Sequence, residues 1–358
     1  MESVSRPEAD EIHNLRESST KPRGFTERVT IRAVAEASGV SIATASKALK
    51  GGYRVSAETT AKVRRVADLL NYAPNPQAQS LHTGRTGTVG MIAGDLVGRF
   101  SIPVMMGAED AFGSGRVAVF LSDARGDPLR ERYYVRALLS RRVDGLIIVG
   151  DNPNPRTSLG ELPVPVVYAY APSSTPTDIS IISDNVGAGR TAAEHLISLG
   201  RARIAYIAGD RSVAASPERV AGAVEALSAH GLQLVGSDAL YGSWDESWGR
   251  GAIRTLLAAH PDIDAVMCGA DQVARGVLDA LREMGKRVPE DVAVIGHDNL
   301  ELLAPQSRPP LTSIDMNLEE VGRLAAQLLF AAVDGDHHPG LHSVPTRLVT
   351  RASTLPVF

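Results

Sequence analysis

The stretch VTIRAVAEASGVSIATASKALKGG (Val29–Gly52) is rich in alanine, holds no aromatic residue and has one internal glycine. Thr30 can cap a first helix and Ser41 a second, because their side-chain oxygens can accept from the free N–H groups of a first helical turn. Gly39 suits the left-handed position at which many helices end. The stretch therefore predicts two short helices joined by a tight turn.

The segment that follows predicts a third helix. Ser56 is a candidate N-cap, and apolar residues then recur at helical spacing, at Val63, Val66, Ala67 and Leu70. In the first helix we place Val34 and Ala37 on the inner face. Two helices joined by a tight turn and packed on a third form a helix-turn-helix, and a generic helical hairpin is the alternative.

The charge of the chain is unevenly distributed. Residues 26–84 carry 8 Lys and Arg against 4 Asp and Glu, whereas residues 85–358 carry 25 against 32. A small basic module ahead of a larger acidic one is typical of proteins whose first part meets a polyanion. Chance clustering is the alternative on charge alone.

Length and composition limit the class of protein. A chain of 358 residues with 44% hydrophobic and 22% charged residues indicates a globular protein of two or three domains. No apolar run approaches the ~20 residues that span a bilayer, and residues 1–25 lack the apolar stretch of a secretory signal. Cys268 is the single cysteine, which excludes a disulfide framework and a multi-cysteine metal site. We predict a cytoplasmic protein with no membrane partner.

The rest of the chain alternates between apolar runs and helical patterns. Residues 1–25 read as a disordered arm, and residues 74–86 as a linker. Strands buried on both faces that alternate with helices predict an α/β fold with doubly wound parallel sheets, here in two subdomains. The predicted strands lie in VGMIAGD, VAVFLSD, DGLIIVG, PVVYAY, RIAYIAGD, AVMCGAD and DVAVIGHD.

The N-terminal residues resemble a known family. The framework T-I-x-x-V-A-x-x-[AS]-G-V-S-x-x-T-x-S, the V-S-x-x-T element and L-N-Y-x-P-N occur in this order between residues 30 and 75. They are similar to the DNA-binding headpiece and hinge of LacI/GalR-type transcriptional regulators. The resemblance implies a helix-turn-helix domain at 26–73, a hinge helix at 74–86 and a periplasmic-binding-protein-like core at 87–358. Within the core we place the N-subdomain at about 87–170 and 297–333, and the C-subdomain at about 171–296 and 334–358.

The resemblance also implies which side chains meet operator DNA. Ile42 and Ala43 can offer bases only apolar contact, such as with a thymine methyl, so Lys47 is the one hydrogen-bonding reader on that face. Leu81 falls where a hinge leucine wedges into the minor groove, and Gln79 replaces an arginine often found there. The predicted DNA-binding residues are Thr30, Ser41, Ile42, Ala43, Thr44, Ser46, Lys47, Tyr72, Asn75 and Leu81.

In the core, the resemblance implies an effector cleft. The positions that carry over are Phe100, Arg219, Trp244 and Asp298, with Asp271 as a weaker candidate. Aromatic walls beside an arginine and an aspartate favour a polyol, namely a mono- or oligosaccharide. The segment DLVGRFS stands where D-L-x-N-P-F-F is usual, so Ser101 replaces one aromatic, and Ala270 replaces a common asparagine.

Other functions leave weaker traces. The glycine-rich GSGR and GAGR complete no nucleotide-binding fingerprint, no catalytic motif is evident, and the DHH at 336–338 is read as solvated rather than metal-bound. A transport binding protein would lack residues 26–84. We therefore predict a non-enzymatic regulator without cofactor, most simply a repressor controlled by a sugar. The alternative is a regulator whose core only dimerises or binds a non-sugar ligand such as a nucleobase. With no heptad extension after the last strand, a homodimer is favoured over a tetramer.

Overall fold

The computed structural model describes residues 29–49, 55–72, 85–95, 99–113 and 117–355. By its internal contacts the chain divides into two units, residues 1–84 and 85–358. We call them the headpiece and the core, and describe each by itself.

The described headpiece has three helices, α1 (Ile31–Ser38), α2 (Ile42–Leu49) and α3 (Ala57–Leu69). The caps expected from the sequence are confirmed. The hydroxyl of Thr30 accepts from the Ala33 N–H at 3.4 Å, and the hydroxyl of Ser41 accepts from the Thr44 N–H at 3.1 Å. Gly39 ends α1 in the left-handed region, with φ of 66°. Local backbone chemistry therefore defines both ends of the turn.

Small side chains form the core of the headpiece. The buried residues are Val34, Ala35, Ala45, Ala48, Val63 and Ala67. The prediction that Ala37 lies on the inner face is wrong, because this residue is exposed. Val34, Ala35 and Ser38 take the inner positions of α1, and Ala37 points about 100° away from their mean direction around the helix.

The first sheet of the core has six parallel strands in the order β10-β5-β4-β3-β1-β2. The helices α4 (Ser101–Phe112), α5 (Pro128–Ser140) and α10 (Leu318–Val333) belong to this subdomain. The strands are β1 (Thr88–Ala93), β2 (Ala118–Asp123), β3 (Gly145–Val149), β4 (Val166–Ala169), β5 (Ile179–Ser183) and β10 (Gly340–Val344).

The second sheet has five strands in the order β11-β9-β8-β7-β6, of which β11 is antiparallel to β9. The strands are β6 (Ile204–Ile207), β7 (Ala265–Cys268), β8 (Ala293–His297), β9 (Thr312–Asp315) and β11 (Arg347–Val349). The helices are α6 (Asn185–Ser198), α7 (Ala215–Ala229), α8 (Glu246–Ala259) and α9 (Asp271–Glu283). None of the described helices is long and apolar enough to cross a membrane.

The sheets divide the chain at other points than the sequence suggested. β5 and β10 pair with each other in the first sheet, although both fall within the predicted C-subdomain, and β9 lies in the second sheet, not the first. The reason is burial, since Ile179, Ile181 and Val344 complete the apolar cluster around β1, β3 and β4. β2 is an exposed edge strand and not a buried one, with Phe120 45% exposed.

Three pairs of helices cross with their backbones in direct contact. A Cβ at Gly107 of α4 would lie 1.8 Å from the Glu319 carbonyl oxygen, and one at Gly322 of α10 would lie 1.9 Å from the Val104 carbonyl oxygen. Gly189 and Gly222 play the same part where α6 meets α7, as do Gly249 and Gly276 where α8 meets α9. No side chain fits at these crossings, so each subdomain is closely packed.

The chain passes between the two subdomains three times, after β5, after β9 and after β10. The three crossings are hydrogen-bonded to one another. The Asp184 N–H donates to the Val344 carbonyl at 2.9 Å, the Ser183 hydroxyl to the Met316 carbonyl at 2.7 Å, and the Asn317 side-chain amide to the Pro345 carbonyl at 3.1 Å. One backbone and two side-chain hydrogen bonds thus join the three segments side by side, and we call them the crossing strip.

Candidate DNA interface and effector cleft

The helix α2 has one face exposed to solvent and an opposite face that packs on its neighbours. Ala45 and Ala48 are buried against α1 and α3, and this fixes the direction in which the opposite side chains point. Ser41, Ala43 and Lys47 are exposed, and Ile42 is 44% exposed. An exposed isoleucine beside a lysine on a helix of eight residues is suited to apolar and hydrogen-bonding contact with another molecule.

The hydroxyl groups of α2 are partly used within the helix. The Ser41 and Thr44 oxygens lie 2.8 Å apart, and the Ser41 oxygen also caps the helix. Ser46 is half-buried and Thr30 is exposed. Tyr72 is half-buried and packs on the headpiece core, where burial raises the pKa of its phenol. The predicted contacts Asn75 and Leu81 lie outside the described residues, as does Gln79.

In the core, the predicted effector residues Arg219 and Asp298 lie close enough to interact. Arg219 is on α7 and only 4% exposed, and Asp298 directly follows β8. The Arg219 guanidinium donates from Nε to the Asn185 side-chain oxygen at 2.9 Å and from Nη1 to the Gly269 carbonyl at 2.8 Å. Its Nη2 faces the Met316 sulfur at 3.8 Å. These contacts use three of its five N–H donors and leave two for a ligand.

The carboxylate of Asp298 faces cations from both subdomains. Its Oδ2 lies 3.9 Å from Nη2 of Arg99, and its side chain is 8% exposed. Burial raises the pKa of Asp298 to about 6, while Arg219, Arg99 and the Asp271 N–H act in the opposite direction. Arg99 belongs to the first subdomain and Asp298 to the second, so this contact crosses the cleft.

Asp271 is a supporting residue of the cleft. Its side chain is fully buried, and its two oxygens accept from the Ser313 hydroxyl at 2.6 Å and the Leu300 N–H at 2.8 Å. Burial and the neighbouring negative charge of Asp298 raise its pKa to about 8. Because both of its oxygens are engaged, Asp271 holds the turn after β8. We therefore propose no direct contact between Asp271 and a ligand.

The predicted aromatic residues form two walls. Phe100 stacks on Tyr170 with ring centroids 4.6 Å apart and planes 18° from parallel. Trp244 covers Gly209 just after β6, where an added Cβ would lie 2.3 Å from the indole ring. Trp244 is half-buried and also packs on the apolar cluster of the second subdomain. The Trp244 ring therefore packs on the second subdomain with part of its surface and leaves another part exposed to solvent.

Comparison with known proteins agrees with these two units. Residues 30–75 match the family of bacterial regulatory proteins called the lacI family, and residues 193–354 match a periplasmic binding protein-like domain. The HTH-type transcriptional regulator CelR of Thermobifida fusca is 35% identical over 332 residues, which cover 90% of this chain and 95% of that protein. The chain belongs to the lacI family of bacterial regulatory proteins. As a member it is a DNA-binding transcriptional regulator.

Two solved structures of lacI-family regulators resemble about nine-tenths of this chain. A complex of the regulator CelR with cellobiose is 32% identical, with a TM-score of 0.63, and covers 91% of this chain and all of that one. A Lac repressor dimer bound to operator and the anti-inducer ONPF is 28% identical, with a TM-score of 0.71, and covers 92% of this chain and all of that one.

Three residues that sequence reasoning missed complete the cleft of this lacI-family protein. Tyr170 is the last residue of the motif PVVYAY and directly follows β4, and Asn185 opens α6 just after β5, so both stand at strand ends where ligands of α/β sheets bind. Arg99 lies in the segment DLVGRFS, but its reach across the cleft depends on how the subdomains pack. Ala270, the position before α9, is buried and offers no side-chain cap.

A separate cavity of about 800 Å³ lies in the first subdomain of this regulator, beside α5 and the segment that follows β3. It contains none of the predicted effector residues. Asn154 lines it and also bonds to the second subdomain, accepting from the Ala214 N–H at 2.7 Å and donating to the Ser212 carbonyl at 3.3 Å. The DHH loop at 336–338 is exposed, with His338 Nε2 at 3.1 Å from Asp336.

Proposed function

We propose that this lacI-family regulator is a repressor that binds a pseudo-palindromic operator as a homodimer, and that a sugar in the core cleft changes its affinity for that operator. The observation that carries the DNA-binding part is the outward face of α2. Ala45 and Ala48 are buried, while Ser41, Ile42, Ala43 and Lys47 are exposed to solvent. A recognition helix needs this division between a packing face and a reading face.

The proposed DNA contacts follow from this face and from the resemblance. Ser41, Thr44 and Ser46 would hold phosphates, Ile42 and Ala43 would touch thymine methyl groups, and Lys47 would donate to a base edge. Thr30, Tyr72 and Asn75 would position the headpiece. Leu81 would enter the minor groove at the centre of the operator, where an apolar wedge kinks the duplex. Such a regulator would act in the cytoplasm, beside the chromosome.

The sugar proposal is supported by the chemistry of the cleft. The buried guanidinium of Arg219 has spare donors, and the carboxylate of Asp298 can accept from a pair of hydroxyl groups. The stacked rings of Phe100 and Tyr170, with Trp244 as a second wall, offer the flat apolar surfaces that a sugar ring needs. The solved complex of CelR with cellobiose is consistent with this class of effector.

A dimer is supported by exposed apolar side chains on the first subdomain. Ile102 and Met106 on α4 are 41% and 49% exposed, and Phe120 on the edge strand β2 is 45% exposed. Unpaired strand edges and apolar side chains in solvent are features that association covers. A dimer would also place two copies of the α2 face on the two halves of an operator.

The effector would act through the crossing strip. Closing the cleft around a ligand rotates one subdomain against the other, and this movement changes the spacing of the two headpieces in a dimer. The test is selection of bound sequences from random DNA, followed by titration of the selected site with a panel of sugars. A single two-fold symmetric site whose affinity changes with one sugar is the expected result. Selection of no preferred sequence would refute operator recognition.

A further inference from the structure

The cleft contains two guanidinium groups, one from each subdomain. Arg219 comes from α7 of the second subdomain, and among the described residues no carboxylate lies within ion-pair distance of it. Its partners are an amide oxygen, a backbone carbonyl and a thioether sulfur. The positive charge of Arg219 is therefore solvated by dipoles at contact distance, and Asp298 acts on it only by longer-range electrostatic attraction.

Arg99 supplies the second guanidinium, and it is incompletely bonded. Its Nη2 is buried and has no hydrogen-bond partner among the described residues. The nearest carboxylate oxygen, on Asp298, is 3.9 Å away, which is beyond hydrogen-bond distance. The guanidinium also lies 5.9 Å from the centre of the Phe100 ring. A buried charged donor without an acceptor is costly, so this position favours a ligand that brings one.

The carboxyl groups nearby leave this donor unsatisfied. Asp298 is shared between Arg99 and Arg219 and also accepts from the Asp271 N–H. Asp271 is engaged by Ser313 and Leu300, and burial raises the pKa of its carboxyl, which favours its neutral form. Asp95 accepts from the Phe100 N–H at 3.3 Å. Arg99 stands where the usual D-L-x-N-P-F-F segment has a proline. This chain therefore carries a positive charge at a position that is uncharged in the usual pattern.

We propose that the effector is an acidic sugar, of the uronic acid class, and that Arg99 binds its carboxylate. This inference rests on the proposed sugar cleft and specifies its ligand. The carboxylate would accept from Nη2 of Arg99, the sugar ring would lie against the Phe100 and Tyr170 stack, and hydroxyl groups would meet Asp298 and Arg219. A guanidinium binds a carboxylate with shorter and stronger hydrogen bonds than it forms with a hydroxyl group.

The test is calorimetry on the full-length protein with matched pairs of sugars. The members of each pair differ only in having a carboxylate or a hydroxymethyl group on each sugar unit: galacturonate with galactose, glucuronate with glucose, and digalacturonate, which has two carboxylates, with galactobiose. In one pair the acid should bind at least roughly tenfold more tightly than its neutral partner. A neutral sugar that binds as tightly as its acid overturns the acidic-sugar proposal and leaves the sugar cleft standing. Binding of no sugar in any pair overturns both, while operator selection still tests DNA binding separately.

Variants of Arg99 locate the preference. Arg99→Gln should lower affinity for the acid roughly 10- to 100-fold and affect the neutral partner less, and Arg99→Lys should retain part of the preference. The exposed Arg132→Gln on α5 is the control of equal charge change and should leave both affinities as they are. Equal losses for acid and neutral sugar in Arg99→Gln would show that Arg99 only clamps Asp298, which overturns the proposal. If Arg99→Gln does not fold, the same comparison is made between Arg99→Lys and the unaltered chain. A loss that is larger for the acid supports the proposal, and equal losses for acid and neutral sugar overturn it.

Discussion

The side-chain oxygen of Asn154 lies 2.7 Å from the backbone nitrogen of Ala214, and this hydrogen bond joins the two core subdomains at a point outside the crossing strip. Ala214 directly precedes α7, the helix that carries Arg219. The Asn154 amide also donates to the Ser212 carbonyl at 3.3 Å. One side chain of the first subdomain thus holds both ends of a short turn in the second.

Asn154→Ala should loosen this turn. Two lost hydrogen bonds correspond to about 1–2 kcal/mol, so the Ala214 amide should exchange its hydrogen roughly 5- to 30-fold faster. Hydrogen–deuterium exchange of a peptide spanning residues 212–216 measures this. The control is Thr157→Ala, an exposed residue of the same segment. Unchanged exchange in Asn154→Ala would show that the Asn154 side chain does not hold this turn in solution.

Replacing Lys47 with alanine should relax discrimination at one base pair of each half-site. The loss should be about 1–3 kcal/mol at that pair, because in the proposed interface Lys47 is the one hydrogen-bonding reader, beside the apolar Ile42 and Ala43. Repeating the selection from random DNA with the variant measures the change. If the preferred sequence stays the same and only the salt dependence of binding changes, Lys47 contacts phosphate and not a base.

Leu81→Ala should weaken specific operator binding by at least roughly tenfold, because the apolar wedge at the central base step is lost. Mobility-shift titration of operator and of unrelated DNA separates specific from non-specific binding. Thermal unfolding of the core and effector binding should match those of the unaltered protein. Equal operator affinity in the two proteins would remove Leu81 from the DNA contacts.

Gly322→Ala should destabilise the core by more than about 3 kcal/mol. The new Cβ would lie 1.9 Å from the Val104 carbonyl oxygen, so α10 and α4 would have to separate. Gly251→Ala on α8 is the matched control, because a Cβ there meets no atom within 4 Å. It should be neutral or stabilising by about 0.5–1 kcal/mol. Denaturant unfolding of both variants measures the two changes in stability. If Gly322→Ala were as stable as Gly251→Ala, the close backbone contact between α10 and α4 would be contradicted.

The buried Asp271 makes stability depend on pH. Burial and Asp298 raise its pKa from 3.8 to about 8, so between these values the folded protein holds a proton that the unfolded chain has released. Its contribution to stability is complete below the lower value and is lost as pH rises towards the higher one. Asp271→Asn replaces the carboxyl group with an amide of similar shape that does not titrate.

The free energy of unfolding of the unaltered protein should therefore fall between pH 5 and 8 by at least about 1 kcal/mol more than that of Asp271→Asn. Denaturant titrations at both pH values measure the difference. Asp315→Asn is a control, because Asp315 also lies at the end of a strand and is only half-buried. If both variants and the unaltered chain show the same pH dependence, the proton on Asp271 is not coupled to folding.

The headpiece could be predicted from the sequence because its signals are local. Thr30, Gly39, Ser41 and Ser56 act within a few residues of where they stand, and the caps are as expected. Within residues 29–49 and 55–72, the predicted helices and caps are confirmed and the predicted inward direction of Ala37 is wrong. The subdomain boundaries were harder, since β10 is five residues long and pairs with β5, whose residues lie about 160 positions earlier. No local pattern reports such a partner.

The cleft shows the same division. Arg219 and Asp298 stand in recognisable segments, and the structure brings them within electrostatic reach of each other. Asp271 looked like a ligand because it follows a strand, but its burial and its two hydrogen bonds depend on Ser313 and Leu300 from elsewhere. Arg99 and Asn154 act between the subdomains, and their roles appear only when two separately folded surfaces are opposed.

The crossing strip limits how the core can move. Three chain segments that are bonded side by side are expected to allow rotation about the line they define and to resist sliding and twisting, which would leave the core close to one degree of freedom. Ligands of different shape can then differ in how far they turn one subdomain but not in which direction. For a series of effectors and analogues, operator affinity should therefore fall on one monotonic curve against the closure angle.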